Sequence, residues 1–250
     1  MIKIDVQGMD AIQRKLAAMP GKIRQTAKRA LINTALSVRD DLQDEMRKVF
    51  DRPTRWTIGA IRVKATDDMT VIVGVVDPDG YYRRANYFLG TQIGGGPRGA
   101  KAFEKALQAY GYMPAGWRAV PGEGATLDGN GNMGPGQIRQ ILSYLGTAER
   151  WAGSTQNMTA AKRDKLKQGT KTKMGFEYVV IRPDSKRGKL LPGIYKRTFT
   201  AFGSAIKPII IFVKGTSYRK RYDMERVARA TINRDWQRKF SAAIDKALAS

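Results

Sequence analysis

The chain's 250 residues include no histidine and no cysteine. Ser-His-Asp and Cys-His nucleophiles, thiolate zinc clusters, disulfide frameworks and haem or iron–sulfur ligation through those residues are thereby excluded, and any metal site would be all-oxygen. Gly129-Asn130-Gly131-Asn132-Met133-Gly134 matches G-x-G-x-x-G. That pattern binds dinucleotides only between a strand and a helix of a βαβ unit, and no strand precedes it, so a flexible loop is expected. Asp128, Asn130 and Asn132 have the 1, 3, 5 spacing of a calcium loop, but Met133 replaces the turn glycine and Arg139 the bidentate glutamate. Gly94-Gly95-Gly96-Pro97-Arg98 is not followed by the Gly-Lys-Ser/Thr of a phosphate loop. Asp67, Asp68, Asp77, Asp79 and Asp184 fall in turns, Asp184-Ser185-Lys186 is a lone fragment of a nuclease-like pattern, and Glu149 and Glu177 form no pair suited to glycoside cleavage. No catalytic, cofactor or metal site is expected, and the chain does not read as an enzyme.

Cations are the informative residues. Lys and Arg number 45 against 22 Asp and Glu, a formal charge of +23. Residues 135–200 carry +10 and 201–250 carry +7, against +5 over 1–60 and +1 over 61–134. So large an excess repels itself and attracts any polyanion. Lys162, Arg163, Lys165, Lys167, Lys171 and Lys173 lie on one helix and its exit, followed by Arg182, Lys186, Arg187 and Lys189; Tyr218-Arg219-Lys220-Arg221-Tyr222 is an aromatic-framed cluster at a helix start. A solvated face, phosphate contact and docking on an acidic protein all remain open. For the second cluster the position favours a structural partner, because cations at a helix start oppose its dipole unless something compensates.

The elements that position these residues follow from periodicity. Ile2, Ile4 and Val6 alternate as a strand, without the apolar stretch of a signal peptide, and a short helix is expected from Asp10 to Ala18. From Ile23 to Val49, Ala27, Ala30, Leu31, Thr34, Val38, Leu42 and Met46 recur at three or four residues and predict a long amphipathic helix. Ile61–Lys64 and Thr70–Val76 predict a hairpin. Gly94–Gly136 holds 12 glycines, and only Lys101–Tyr110 within it reads as helical. Such a stretch is expected to be poorly ordered alone and ordered by a partner, having little apolar area to offset its ordering entropy. Helices over Gln137–Leu145 and Met158–Gln168 follow, the latter capped by Asn157 or Thr159 and ended by Gly169. Strands are expected over Phe176–Ile181, Gly193–Phe199 and Pro208–Val213, with Pro208 at a strand start, and a helix over Asp223–Leu248. No window approaches the roughly 18 apolar residues of a membrane span, so a soluble protein with no membrane partner is expected.

Strands grouped with strands and helices at the ends imply an α+β fold. A single domain over 1–250 is expected, with a mainly antiparallel sheet flanked by a long N-terminal-half helix and a long C-terminal helix, and a Gly-rich and basic insertion at 91–170. Its core would join the helix to Val49, the hairpin, the strand from Pro208 and the last helix.

Several stretches resemble a family. Arg52-Pro53-Thr54-Arg55-Trp56-Thr57, Tyr87-Phe88-Leu89-Gly90, Gly94-Gly95-Gly96-Pro97-Arg98, Asp128–Met133 with Gly136-Gln137-Ile138, Gly193-Ile194-Tyr195 and Ser204-Ala205-Ile206-Lys207-Pro208 are similar to tailed-bacteriophage tail-completion or neck proteins, broadly the minor tail protein Z class. The resemblance spans about residues 23–245. It implies a virion protein, assembled in the host cytoplasm as a homo-oligomeric ring at the head-to-tail junction, around a DNA channel and between portal-side adaptors and tail proteins. Interfaces would use Arg52, Arg55, Trp56 and Tyr218 to Tyr222, since Arg, Trp and Tyr dominate hot spots, although core packing is the alternative for Trp56. Two other classes stay open. A basic nucleic-acid-binding protein would explain the charge, although neither ribonucleoprotein-type aromatic spacing nor a helix-turn-helix pattern is present. An enzyme acting on an acidic polymer is the third.

Overall fold

The computed structural model describes residues 21–66, 69–75, 83–150, 156–185, 190–215 and 217–248. The expected strand and helix before Pro20 lie outside them. The fold is α+β, and the chain divides into two compact units, Met1–Pro97 with Ser217–Ser250, and Arg98–Thr216. This corrects the expectation of one domain with an insertion at 91–170. The inserted part runs on to residue 216 because the three strands after 170 build their sheet with it.

In the first unit, helix α1 (Gly21–Val49) carries the predicted apolar stripe, and Ala27, Ala30, Thr34, Val38, Leu42 and Met46 are all buried. A single turn, α2 (Arg55–Ile58), starts at Thr54, whose hydroxyl accepts the Thr57 amide at 3.1 Å. Strands β1 (Ile61–Ala65) and β2 (Val71–Val75) form the predicted antiparallel hairpin, Ile61 opposite Val75. Helix α3 (Arg83–Gly94) was not legible in the sequence; it ends at Gly95, where φ is +76° and a Cβ would lie 3.2 Å from the Tyr218 carbonyl. The two-residue strands β3 (Gly96–Pro97) and β8 (Ser217–Tyr218) pair where the chain leaves and re-enters this unit. The final helix, α7 (Met224–Leu248), packs on α1 through Met224, Val227 and Ala228, with Leu42, Met46, Ile61, Val73, Leu89 and Tyr222 in the same core. Fully burying each Leu or Met of this set contributes about 1.5–3 kcal/mol.

Charge pairs fasten the rim of the α1–α7 contact. Asp41 accepts from the Thr231 hydroxyl at 2.7 Å and from Arg234 at 2.8 Å, and Glu45 accepts from Arg226 at 2.7 Å. Lys239 donates to the Asn33 carbonyl at 2.9 Å and to the Ser37 hydroxyl. Asp235, only 4% exposed, is held well below the usual carboxylate range, first by the hydrogen bond from Arg234 and then by Arg238 and Lys239.

In the second unit, helix α4 (Ala102–Ala109), strand β4 (Arg118–Pro121), helix α5 (Pro135–Tyr144), a 3₁₀ turn at Ala148–Arg150 and helix α6 (Ala160–Gln168) precede β5 (Phe176–Ile181), β6 (Gly193–Thr200) and β7 (Gly203–Val213). The sheet order is β4-β7-β6-β5, with every pairing antiparallel. Phe103 and Leu107 of α4, Ile141 and Leu142 of α5, and Tyr178, Ile194, Ile210 and Phe212 of the sheet share one core.

Three expectations are corrected here. The strand from Pro208 belongs to this core and not to that of the long helices, which instead cover the small β1–β2 hairpin. Pro208 lies inside β7, where the register shifts between Ile194 and Tyr195 so that Ile209 bulges; a bulge tolerates a residue without an N–H. Residues 91–136 are built into the structure, because Phe103, Ala106, Leu107, Met113 and Ala119 supply buried apolar area between the glycines.

Glu104 holds the start of this segment. Its carboxylate is fully buried and accepts from Arg98 at 2.6 and 2.8 Å, from the Lys101 amide at 2.6 Å and from the Ala119 amide at 2.8 Å. Burial raises its pKa, but the Arg98 hydrogen bonds and the two amides outweigh burial and leave it below the ordinary value. One side chain thus ties the 98–101 loop, the first turn of α4 and β4 together.

Candidate interaction surfaces

The cluster at 218–222 is largely structural. Tyr222 is fully buried and donates its hydroxyl to the Leu42 carbonyl at 2.8 Å, with its ring 5.7 Å from that of Phe50. This corrects its assignment to a partner interface; an aromatic beside three cations reads as surface until α1 and α7 close over it. Arg221 is exposed, yet its guanidinium donates to the Val49 carbonyl at 3.0 Å, placing a cation on the C-terminal end of α1. The amides of Arg221 and Tyr222 both donate to the Gln92 carbonyl. Lys220 pairs with Asp223 at 3.1 Å, which offsets the unfavourable dipole at the start of α7. Tyr218 is half-buried in β8, and Arg219 is exposed.

Arg52 and Arg55 are exposed at the turn after α1, and Arg52 adopts a φ of 45° and pairs with Asp51 at 3.1 Å. Trp56 is partly buried against the first unit's core, as its packing alternative anticipated.

Helix α6 is the strongest basic feature. Thr159 caps it by accepting the Lys162 amide at 3.3 Å, Gly169 ends it, and none of its residues is buried. Lys162, Arg163, Lys165, Lys167, Lys171 and Lys173 are all exposed, on the helix and the segment that leaves it. Lys167 reaches back to Glu177 at 3.4 Å and lies 5.6 Å from the Phe199 ring centre. The close approach of helix exit and strand entry needs Gly175, where a Cβ would lie well inside contact distance of the Lys167 carbonyl. Arg187 lies outside the described residues.

Cation–aromatic pairs extend this surface and had no signal in sequence spacing. Lys196 lies 4.0 Å from the Phe176 ring centre and Arg182 lies 5.7 Å from that of Tyr112. A depression of about 630 Å³ lies along β5, lined among others by Tyr112, Tyr178 and Val180 and by two opposite-charge sets, Glu177 and Asp184 with Arg182 and Arg197. The Tyr178 hydroxyl donates to Gln140 at 2.9 Å, and burial pushes its pKa up to about 12, so it stays protonated at neutral pH.

The Gly-rich loop has local geometry only. Asp128 accepts the amides of Asn130 and Asn132, both at 2.9 Å, and Leu127 bridges Met133, closing a turn that delivers Gly134 to the start of α5. Among the described residues, no group of three or more acidic side chains is placed to hold a metal ion, and no helix is long and apolar enough to cross a membrane. Comparison with protein family models, curated proteins and solved structures finds no match for this chain.

Proposed function

We propose that the chain is a non-enzymatic structural protein of a tailed-phage particle, placed at the neck or tail junction as a homo-oligomeric ring around the DNA channel. Portal-side adaptors and tail proteins would be its neighbours. The observation that carries this reading is α6, a helix with no buried residue on which Lys162, Arg163 and Lys165 are exposed, with Lys171 and Lys173 exposed just past its end. A helix that spends its length displaying cations suits a polyanion or an acidic neighbour, and a DNA-filled particle supplies both. The resemblance of the Arg52–Thr57, Gly94–Arg98 and Ser204–Pro208 stretches to neck and tail-completion proteins points the same way.

The same helix supports a second reading, a basic nucleic-acid-binding protein without catalytic activity. Negative-stain microscopy of the purified protein separates the two. Closed rings, with the protein also present in purified virions, support the first. A monomer that binds arbitrary DNA with a steep salt dependence supports the second. Absence from virions eliminates the structural role.

A further inference from the structure

We propose that the tip of the β6–β7 hairpin is an intersubunit arm, whose Phe202 seats in the depression along β5 of a second copy and so joins copies head to tail. This rests on the ring reading and specifies its contact.

Phe202 is 102% exposed, more than any other large apolar side chain among the described residues, and Ile206 beside it is 39% exposed. Scattered surface hydrophobics are ordinary, but this one stands on a braced tip. The β6–β7 ladder runs out to Thr200 opposite Gly203, and the Thr200 hydroxyl donates to the Gly203 carbonyl at 3.1 Å. Among the described residues, backbone hydrogen bonds from the β4 side reach β7 no further out than Pro208, whose carbonyl accepts the Gly124 amide, and those from the β5 side reach β6 no further out than Phe199, whose amide donates to the Gly175 carbonyl. The last residues therefore project as a two-stranded finger whose conformation is already set, which lowers the entropy lost on docking.

Charge singles out a second copy as occupant. From Thr198 to Ile206 no side chain is ionisable, in a chain of net charge +23. Two such chains repel wherever their unbalanced cations meet, so a self-contact is favoured where cations are absent or matched by anions.

The acceptor has matching chemistry. Among the described residues strand β5 is paired only with β6, and the depression along it has Tyr112, Tyr178, Val179 and Val180 for an aromatic ring to rest on, while Glu177 and Asp184 balance the charges of Arg182 and Arg197 in the rest of its lining, beside Ser185. A buried aromatic with such neighbours is the usual anchor of an interface.

The arm cannot fill its own depression. Thr198 pairs with Phe176 at the start of β5, and Gly193 pairs with Ile181 at its end, after which Arg182 and Ser185 follow. Phe202 therefore stands beyond one end of β5 and Ser185 beyond the other, about 30 Å apart at roughly 3.3 Å per residue. Arm into depression is thus a contact between unlike surfaces, which closes into a ring when the rotation between copies permits.

The absence of native cysteine makes the test direct. Phe202→Cys and Ser185→Cys are prepared as separate proteins, mixed, allowed to assemble and oxidised. A disulfide-linked heterodimer in excess of both homodimers is expected, and the chain carrying both substitutions should give a ladder on non-reducing gels. Phe202→Ser should shift assembled protein to a folded monomer with the circular dichroism spectrum of the wild type. Assembled wild type with no heterodimer, and with Phe202→Ser still assembled, overturns the arm while the ring stands. A predominance of disulfide-linked homodimers of the Phe202→Cys protein overturns the head-to-tail contact in favour of paired tips. Sedimentation with phosphatidylcholine vesicles that Phe202→Ser abolishes overturns it in favour of a lipid surface. A wild type that is monomeric at all concentrations and absent from virions overturns both the ring and the arm.

Discussion

The Tyr222 hydroxyl donates to the Leu42 carbonyl at 2.8 Å, joining residues 180 positions apart in the chain. Tyr222 sits just before α7 and Leu42 lies in the buried stripe of α1, so this bond fixes how the last helix starts on the first. Tyr222→Phe removes one buried hydrogen bond while keeping the ring, and about 1 kcal/mol of stability should be lost. Tyr222→Ala also leaves a cavity and should cost about 3–5 kcal/mol. Equal denaturation midpoints for the two variants would show that the ring is not packed.

Leu42 tests the stripe itself. Leu42→Ala should cost about 2–5 kcal/mol, and Leu42→Asp, which buries an unpaired carboxylate, should unfold the first unit or cost still more. A cooperative melt of Leu42→Asp at the wild-type midpoint would contradict its burial.

Glu104 should make stability depend on acid. Its folded pKa lies below its unfolded value, so its contribution is complete at neutral pH, above the unfolded value. That contribution is lost as pH falls through the folded value. Glu104→Gln leaves Arg98 and two amides imperfectly paired and should cost about 3–5 kcal/mol at pH 7. Thermal melts between pH 7 and pH 3 should show the gap between variant and wild type narrowing on acidification; a constant gap would mean that the carboxylate charge contributes nothing.

The 219–221 cations should separate by role. Arg219→Glu should leave the melting temperature unchanged. Arg221→Glu, which replaces the cation on the α1 C-terminus with an anion, should destabilise by about 1 kcal/mol. If Arg219→Glu alone reduces the joining of heads to tails in a complementation assay, the partner-contacting part of the cluster is that residue. Normal particle yield from that variant removes Arg219 from the interface.

Replacing Lys162, Arg163 and Lys165 together by Gln should leave folding intact, since none is buried. If the three contact phosphates, the slope of log binding constant against log salt on duplex DNA should fall by about 2.7, near 0.9 per contact. An unchanged slope assigns the helix to acidic protein partners or to solvent.

The elements of this fold were legible where one periodicity dominated. The three- and four-residue spacing from Ala27 to Met46 and the β-branched alternation of the first hairpin specify their structures locally, since each buries a face set by its own repeat. The stop at Gly169 was legible for the same reason, and the N-cap was narrowed to Asn157 or Thr159, of which the structure uses Thr159, since cap chemistry acts within a turn or two. Helix α3 was not, because Arg83–Gly94 carries a glycine at 90 and ends in a run of three more, which obscures its periodicity.

By itself the sequence determined the α+β class, the basic character of α6, and the lack of His and Cys chemistry, because composition and local repeat need no neighbours. Tertiary structure alone decided the division into two units, with the strands after 170 sharing a core with the Gly-rich segment. It also decided that Tyr222 and Arg221 serve α1 while Phe202 is left in solvent. These outcomes depend on which surfaces meet across the chain. Burial, and the pairing of a carbonyl or carboxylate with a donor many residues away, are properties of that meeting and not of any window of sequence.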